Sequence, residues 1–176
     1  NYYHDSEDSS SIPASRVDAL FEDSSRRLWI GTQDGLARYL PRQDDFRRIP
    51  VNRIGQFVVH DFDELESGKM LVSTWSHGLY LLDPETEVLE QVLDFRGILQ
   101  ETTTVRSVAL GDDDQIWFSS YTGMWQLDLE TRSVQKPDWP ASTIAQLTEL
   151  VIFRMLHVDG VLFAATSQGL ASVDLS

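Results

Sequence analysis

Four short runs along the chain share one pattern of apolar, small and hydroxyl positions. The first reads Leu28-Trp29-Ile30-Gly31-Thr32, and Gly35-Leu36 follows after Gln33-Asp34. The second is Met70-Leu71-Val72-Ser73-Thr74, with Trp75-Ser76-His77 before Gly78-Leu79. The third, Ile116-Trp117-Phe118-Ser119-Ser120, reaches Gly123-Met124 through Tyr121-Thr122. The fourth, Leu162-Phe163-Ala164-Ala165-Thr166, reaches Gly169-Leu170 through Ser167-Gln168. Their central residues Trp29, Leu71, Trp117 and Phe163 stand 42, 46 and 46 positions apart. Val17, Val59 and Val105 precede the first three centres by 12 residues. In the fourth repeat Val151 keeps that spacing, and Ile152 with a shorter turn fits equally well.

Each position has a physical reading. Within the runs both alternating sets are apolar or small, as in Ile116 and Phe118 on one face and Trp117 on the other, so these are strands buried on both faces. Gly31, Ser73, Ser119 and Ala165 mark a place where a neighbouring chain comes close. The hydroxyls of Thr32, Thr74, Ser120 and Thr166 can bond to backbone groups of the next turn. Gly35, Gly78, Gly123 and Gly169 supply the positive φ that a tight hairpin requires. Third strands follow at Leu36–Tyr39, Leu79–Leu82, Met124–Leu127 and Leu170–Val173. Asp83-Pro84-Glu85-Thr86 and Asp128-Leu129-Glu130-Thr131 then read as turns.

A unit is therefore an up-and-down sheet of about four short strands, as at Val59–Asp63, Met70–Thr74, Leu79–Leu82 and Val88–Val92. Four-stranded units repeating every ~40–45 residues indicate an all-β fold, a β-propeller with four blade repeats. The blades are expected at about 15–50, 55–96, 103–138 and 150–176. The chain is read as one propeller domain or as a segment of a larger propeller. The last repeat lacks a fourth strand, and residues 1–8 are expected to complete it or to serve as the outer strand of another blade. The stretch Ser142–Leu147 has room for one helical turn.

Composition narrows the function. With 14 basic against 28 acidic residues the net charge is −14, which disfavours nucleic acid, since counterion release needs clustered Lys and Arg. The chain has no cysteine, so disulfides, thiolate nucleophiles and zinc–thiolate sites are excluded. No apolar run approaches the ~20 residues of a membrane-spanning helix.

The run Asp23–Tyr39, with Leu28-Trp29-Ile30-Gly31-Thr32 and the later Gly35-Leu36, resembles the two-component regulator propeller repeat. Ser15-Arg16-Val17-Asp18-Ala19-Leu20 extends the likeness upstream. Ile116–Met124 and Leu162–Leu170 resemble it more loosely, and the second repeat departs furthest, with Leu71 for the family's Trp and Ser73 for its Gly. The resemblance implies a periplasmic input domain of a bacterial signalling receptor. Its output kinase or cyclase would lie outside this chain.

Catalytic motifs are lacking. His4, His60, His77 and His157 fall in different repeats without metal-ligand spacing, and Asp112-Asp113-Asp114 reads as a solvated turn rather than a calcium loop. The hydroxyl row recurs in every repeat, as a structural role predicts. No catalytic residue, metal or cofactor is expected. The informative positions are those that break the repeat, because divergent turns on one face are free to serve recognition. Trp75, His77 and Tyr121 are therefore expected at a ligand or partner surface near the channel mouth, with Arg106 adding charge from the innermost strand of the third blade. Aromatic faces suit a planar or sugar-like small molecule; a protein partner and self-association through open propeller edges are the other expectations. A propeller hydrolase or lyase and a purely structural segment are the alternatives.

Overall fold

The computed structural model describes residues 1–52, 55–94, 104–112, 115–121, 123–140, 143, 147 and 150–175. Among the described residues fifteen strands form four antiparallel sheets. The first sheet holds β1 (Val17–Glu22), β2 (Leu28–Thr32), β3 (Gly35–Leu40) and β4 (Asp45–Arg48). The second holds β5 (Val59–Glu64), β6 (Met70–Thr74), β7 (Leu79–Asp83) and β8 (Val88–Leu93). The third holds β9 (Ser107–Leu110), β10 (Ile116–Ser120), β11 (Gly123–Asp128) and β12 (Ser133–Gln135). The fourth has three strands, β13 (Ile152–Val158), β14 (Val161–Thr166) and β15 (Gly169–Asp174). Each sheet meanders in sequence order, as hairpin-linked strands do.

The doubly apolar runs pack as their alternation requires. Trp29 faces the second sheet, where it meets Phe57, Phe62, Met70 and Leu82. Leu71 lies on the opposite face of β6, packed with Ile116 and Phe118 of the third sheet. Trp117 turns the other way, toward Ile152, Met155 and Leu162 of the fourth. Three layers of side chains thus lie between the four sheets, and a fourth cluster of Ile12, Ile30, Ala37 and Phe46 covers the outer face of the first. Gly31 is needed for the approach of sheets one and two, since a Cβ there would stand 2.7 Å from Val59 Cγ1.

The hairpin chemistry recurs four times. Thr32, Thr74, Ser120 and Thr166 donate side-chain hydrogen bonds to the carbonyls of Gly35, Gly78, Gly123 and Gly169 at 2.9, 2.7, 3.4 and 2.8 Å. Those glycines have φ of 123°, 76°, 99° and 124°, where a Cβ would be strained.

The innermost strands pack in series, β1 on β5, β5 on β9 and β9 on β13. Among the described residues no comparable junction joins β13 back to β1, so the sheets form an arc. Both ends of the arc show apolar side chains: Leu20 is 60% exposed on β1, and Phe153 and Leu156 are 52% and 59% exposed on β13. A groove of about 740 Å³ lies on the free face of the first sheet, between Tyr2, Leu20, Leu28 and Phe46. Residues 1–8 form no strand. They lie against the first sheet, with Tyr2 edge-on to Phe46 and Arg48 donating to the carbonyls of Asp5 and Asp8. Most of the stretch expected to hold a helical turn lies outside the described residues.

Candidate functional site

Three of the four innermost strands start with an irregularity that shapes the site. In β1, β5 and β13 the pairing register shifts between Val17 and Ala19, Val59 and Asp61, and Ile152 and Arg154. The residues left over by these bulges are Asp18, His60 and Phe153. In the third sheet Arg106 holds the same place, its amide donating to the carbonyl of Ser119 just before Ser107 pairs with that residue. A bulge re-aims the side chain it carries. Four unlike residues, Asp18, His60, Arg106 and Phe153, thereby stand at one equivalent position around the axis. The pairing of Ile152 with Thr166 also settles the offset of the fourth repeat in favour of Ile152.

The turns between second and third strands rise beside these positions. The first residue of three of these turns is tied by its amide to the residue before the innermost strand, Gln33 to Arg16, Trp75 to Val58 and Ser167 to Val151. This tether brings the Trp75 indole to the His60 imidazole, with ring centroids 5.5 Å apart. Trp75 also meets Tyr121 edge-to-face at 6.5 Å and 77°. Arg106 Nη2 donates to the Tyr121 hydroxyl at 3.1 Å. Its guanidinium carbon stands 4.8 Å from the Tyr121 ring centre and 5.7 Å from that of Phe153. Trp75 and Tyr121 nevertheless stay 45% and 42% exposed.

Three of the four residues expected from sequence, Trp75, Tyr121 and Arg106, therefore form one cluster. His77 shares the turn with Trp75 but packs on Phe57 at 5.5 Å, and its amide bonds to Thr74 Oγ1. Sequence reasoning missed Asp18, His60 and Phe153. The available signal was the residue after Val17, Val59, Val105 and Ile152, which changes from Asp to His to Arg to Phe while the residue before it stays Val or Ile.

Electrostatics separate the rim from the layer beneath it. Burial holds the His60 imidazole below its ordinary pKa, Asp18 pulls it up, and Arg106 and Arg16 push it down. One residue further along, Ala19, Asp61, Ser107 and Arg154 hold a second repeat-equivalent position. Asp61 is 2% exposed. It accepts from Ser107 Oγ at 2.5 Å and from Arg154 Nη1 at 2.7 Å. Ser107 Oγ in turn accepts from the Met155 amide at 2.9 Å. Sheets two, three and four are thus stitched by one polar chain. Burial pushes the Asp61 carboxyl up to about 6 against the pull of Arg154 and Ser107. No group of three or more metal-ligating side chains occurs among the described residues.

Antiparallel meanders packed face to face, with their first strands along one axis, define β-propeller blades. A family model described as "Two component regulator propeller" matches residues 11–34. Residues 11–34 carry the two-component regulator propeller repeat, as the resemblance of the first blade implied. It is 30% identical over 138 residues to a protein named histidine kinase P4 from Formosa agariphila, a match covering 70% of this chain and 9% of that protein. Among solved structures it is similar to the extracellular domain of a putative hybrid two component system from B. thetaiotaomicron. That match has a TM-score of 0.77 at 18% identity and covers 93% of this chain and 22% of the other. The extracellular domain of a second such system from that organism matches with a TM-score of 0.71 at 17% identity, over 99% and 22% of the two chains. A virginiamycin B lyase from Staphylococcus aureus is similar at a TM-score of 0.62 and 10% identity, over 90% and 55%. These structural likenesses show the fold alone.

Proposed function

We propose that this chain is a non-enzymatic sensing segment of an extracellular or periplasmic receptor, and that it binds a small molecule at the rim formed by Trp75, Tyr121 and Arg106. One observation carries this reading. Four unlike side chains occupy a single repeat-equivalent position at the channel mouth, with two exposed aromatic rings standing over them. A scaffold repeats what packing requires, and a site breaks the repeat. Exposed Trp and Tyr beside Arg are the residue types that dominate recognition surfaces. A flat or sugar-like group would stack on Trp75. His77 belongs to the same turn and sets its shape rather than touching the ligand.

The names of the kinase relative and of the two extracellular domains support an output kinase elsewhere in the receptor. The chain spans 9% of the curated relative and 22% of those two domains, so the apolar ends of the arc suit further blades or a second copy. The lyase likeness supports no turnover here, because it extends to the fold only.

Replacing Trp75 and Tyr121 together by Ala, in the receptor that carries this propeller, tests the assignment. The dose response of autophosphorylation is expected to move to at least ~10-fold higher signal concentration, the size of effect when aromatic contacts worth about 1.4 kcal/mol are lost. An unchanged dose response with normal folding contradicts it.

A further inference from the structure

The rim holds polar atoms that the protein itself leaves unpaired. Among the described residues, Asp18 Oδ2, His60 Nε2 and Arg106 Nε are buried without a hydrogen-bond partner, as are Arg38 Nε, Ser119 Oγ and His157 Nε2 elsewhere. The first three belong to the repeat-equivalent positions. Buried polar atoms are almost always paired, so three orphans at one position in three successive blades call for an explanation.

Arg106 also has partners of a different kind from most arginines here; like Arg48, it is not paired with a carboxylate among the described residues. In this strongly acidic chain Arg16, Arg27, Arg38, Arg47, Arg132 and Arg154 each hold a carboxylate. Arg106 holds none among the described residues; its contacts are the Tyr121 hydroxyl and the rings of Tyr121 and Phe153. A guanidinium lodged between two aromatic rings keeps its charge while losing water. Its free Nε–H is a charge-assisted donor, best matched by an anionic oxygen. Asp18 offers the opposite. Its Oδ1 is taken by Arg16 Nε at 2.8 Å, and its free Oδ2 accepts only from a donor such as a hydroxyl. The exposed Trp75 face lies against His60, between these two positions in blade order.

We propose that the rim binds an anionic ring compound, with a carboxylate held by Arg106, a hydroxyl donating to Asp18 Oδ2, and the ring stacked on Trp75. This rests on the ligand-binding reading above and adds the chemical class. His60 completes the site through Nε2. Burial favours its neutral form, so it contributes a hydrogen bond without a second positive charge.

The test is calorimetric titration of the whole chain with two matched pairs, para-hydroxybenzoate against para-hydroxybenzamide and glucuronate against glucose. In at least one pair the acid is expected to bind roughly tenfold more tightly than its neutral partner, the gain from one charge-assisted bond. Arg106→Met keeps the aliphatic stem and should abolish that gap. Arg106→Lys should retain a preference for the acid. Arg106→Gln repeats the comparison should the Met variant fail to fold. Trp75→Ala should weaken both members of a pair alike. Equal affinity within both pairs, or a gap that survives loss of the charge, overturns the anion assignment and leaves the aromatic site standing. Failure of all four compounds to bind at millimolar concentration overturns both.

Discussion

Trp29→Ala is expected to lower unfolding stability by ~3–5 kcal/mol, the range for removing a large aromatic side chain from a packed core. Trp29 has no exposed surface and sits where the first sheet meets the second, against Phe57, Phe62 and Met70. The substitution also takes a donor from a buried acid. Trp29 Nε1 donates to Asp23 Oδ2 at 2.9 Å, and Asp23 accepts further bonds from the Arg27 amide and Nε at 2.9 and 2.6 Å. Arg27 reaches on to Glu85 at 2.5 Å, so the loss propagates to a link between the first two blades. Trp29→Phe keeps most of the volume and forfeits the bond, and should cost about half as much. Urea denaturation of both variants is the measurement. A loss below ~0.5 kcal/mol for Trp29→Ala, typical of a surface change, would mean that the blades do not pack in this order.

The second large effect depends on pH. Asp61 is buried and its carboxyl is pushed up to about 6. An acid whose folded pKa lies above its unfolded value holds its proton longer in the folded state. Its contribution is therefore full below pH ~4 and is lost as pH rises through about 6. Asp61→Asn keeps an acceptor for Ser107 and removes the titration. Relative to wild type it should gain on the order of 3 kcal/mol between pH 4 and 7, from about two units at 1.36 kcal/mol each. His60 has the opposite sign, since its pKa is held low by burial and protonation below ~6.5 costs stability. Comparing Asp61→Asn with wild type cancels that background. A difference independent of pH would show that the Arg154 ion pair at 2.7 Å, rather than burial, governs Asp61.

How much of this was legible in the sequence follows from the range of the forces involved. The strands and hairpins were, because a Thr bonded to a glycine carbonyl and a glycine at positive φ are local matters, written within five residues of each other. The layering was legible too, since Trp117 and Ile116 alternate on one strand and must go to different neighbours. The rim was legible only in part. Trp75 and Tyr121 stood out as aromatic turn residues and Arg106 as a charge on an inner strand. Asp18, His60 and Phe153 did not, because a bulge breaks the two-residue period on which a strand's faces are assigned. The fourth offset was ambiguous for a similar reason: one residue fewer separates Ile152 from Thr166 than Val59 from Thr74. His77 was grouped with Trp75 because they share a turn, yet the two side chains diverge, one to Phe57 and one to His60.

The central claim is that this face of the propeller, and this rim on it, receives the ligand. Amide chemical-shift mapping of the isotopically labelled chain, titrated with a compound that binds it, tests this most directly. The account predicts shifts concentrated at residues 18, 60, 106 and 153 and in the turns carrying Trp75 and Tyr121. Shifts confined to the opposite face, at the turns around Asp23–Arg27 and Asp83–Glu87, would contradict it.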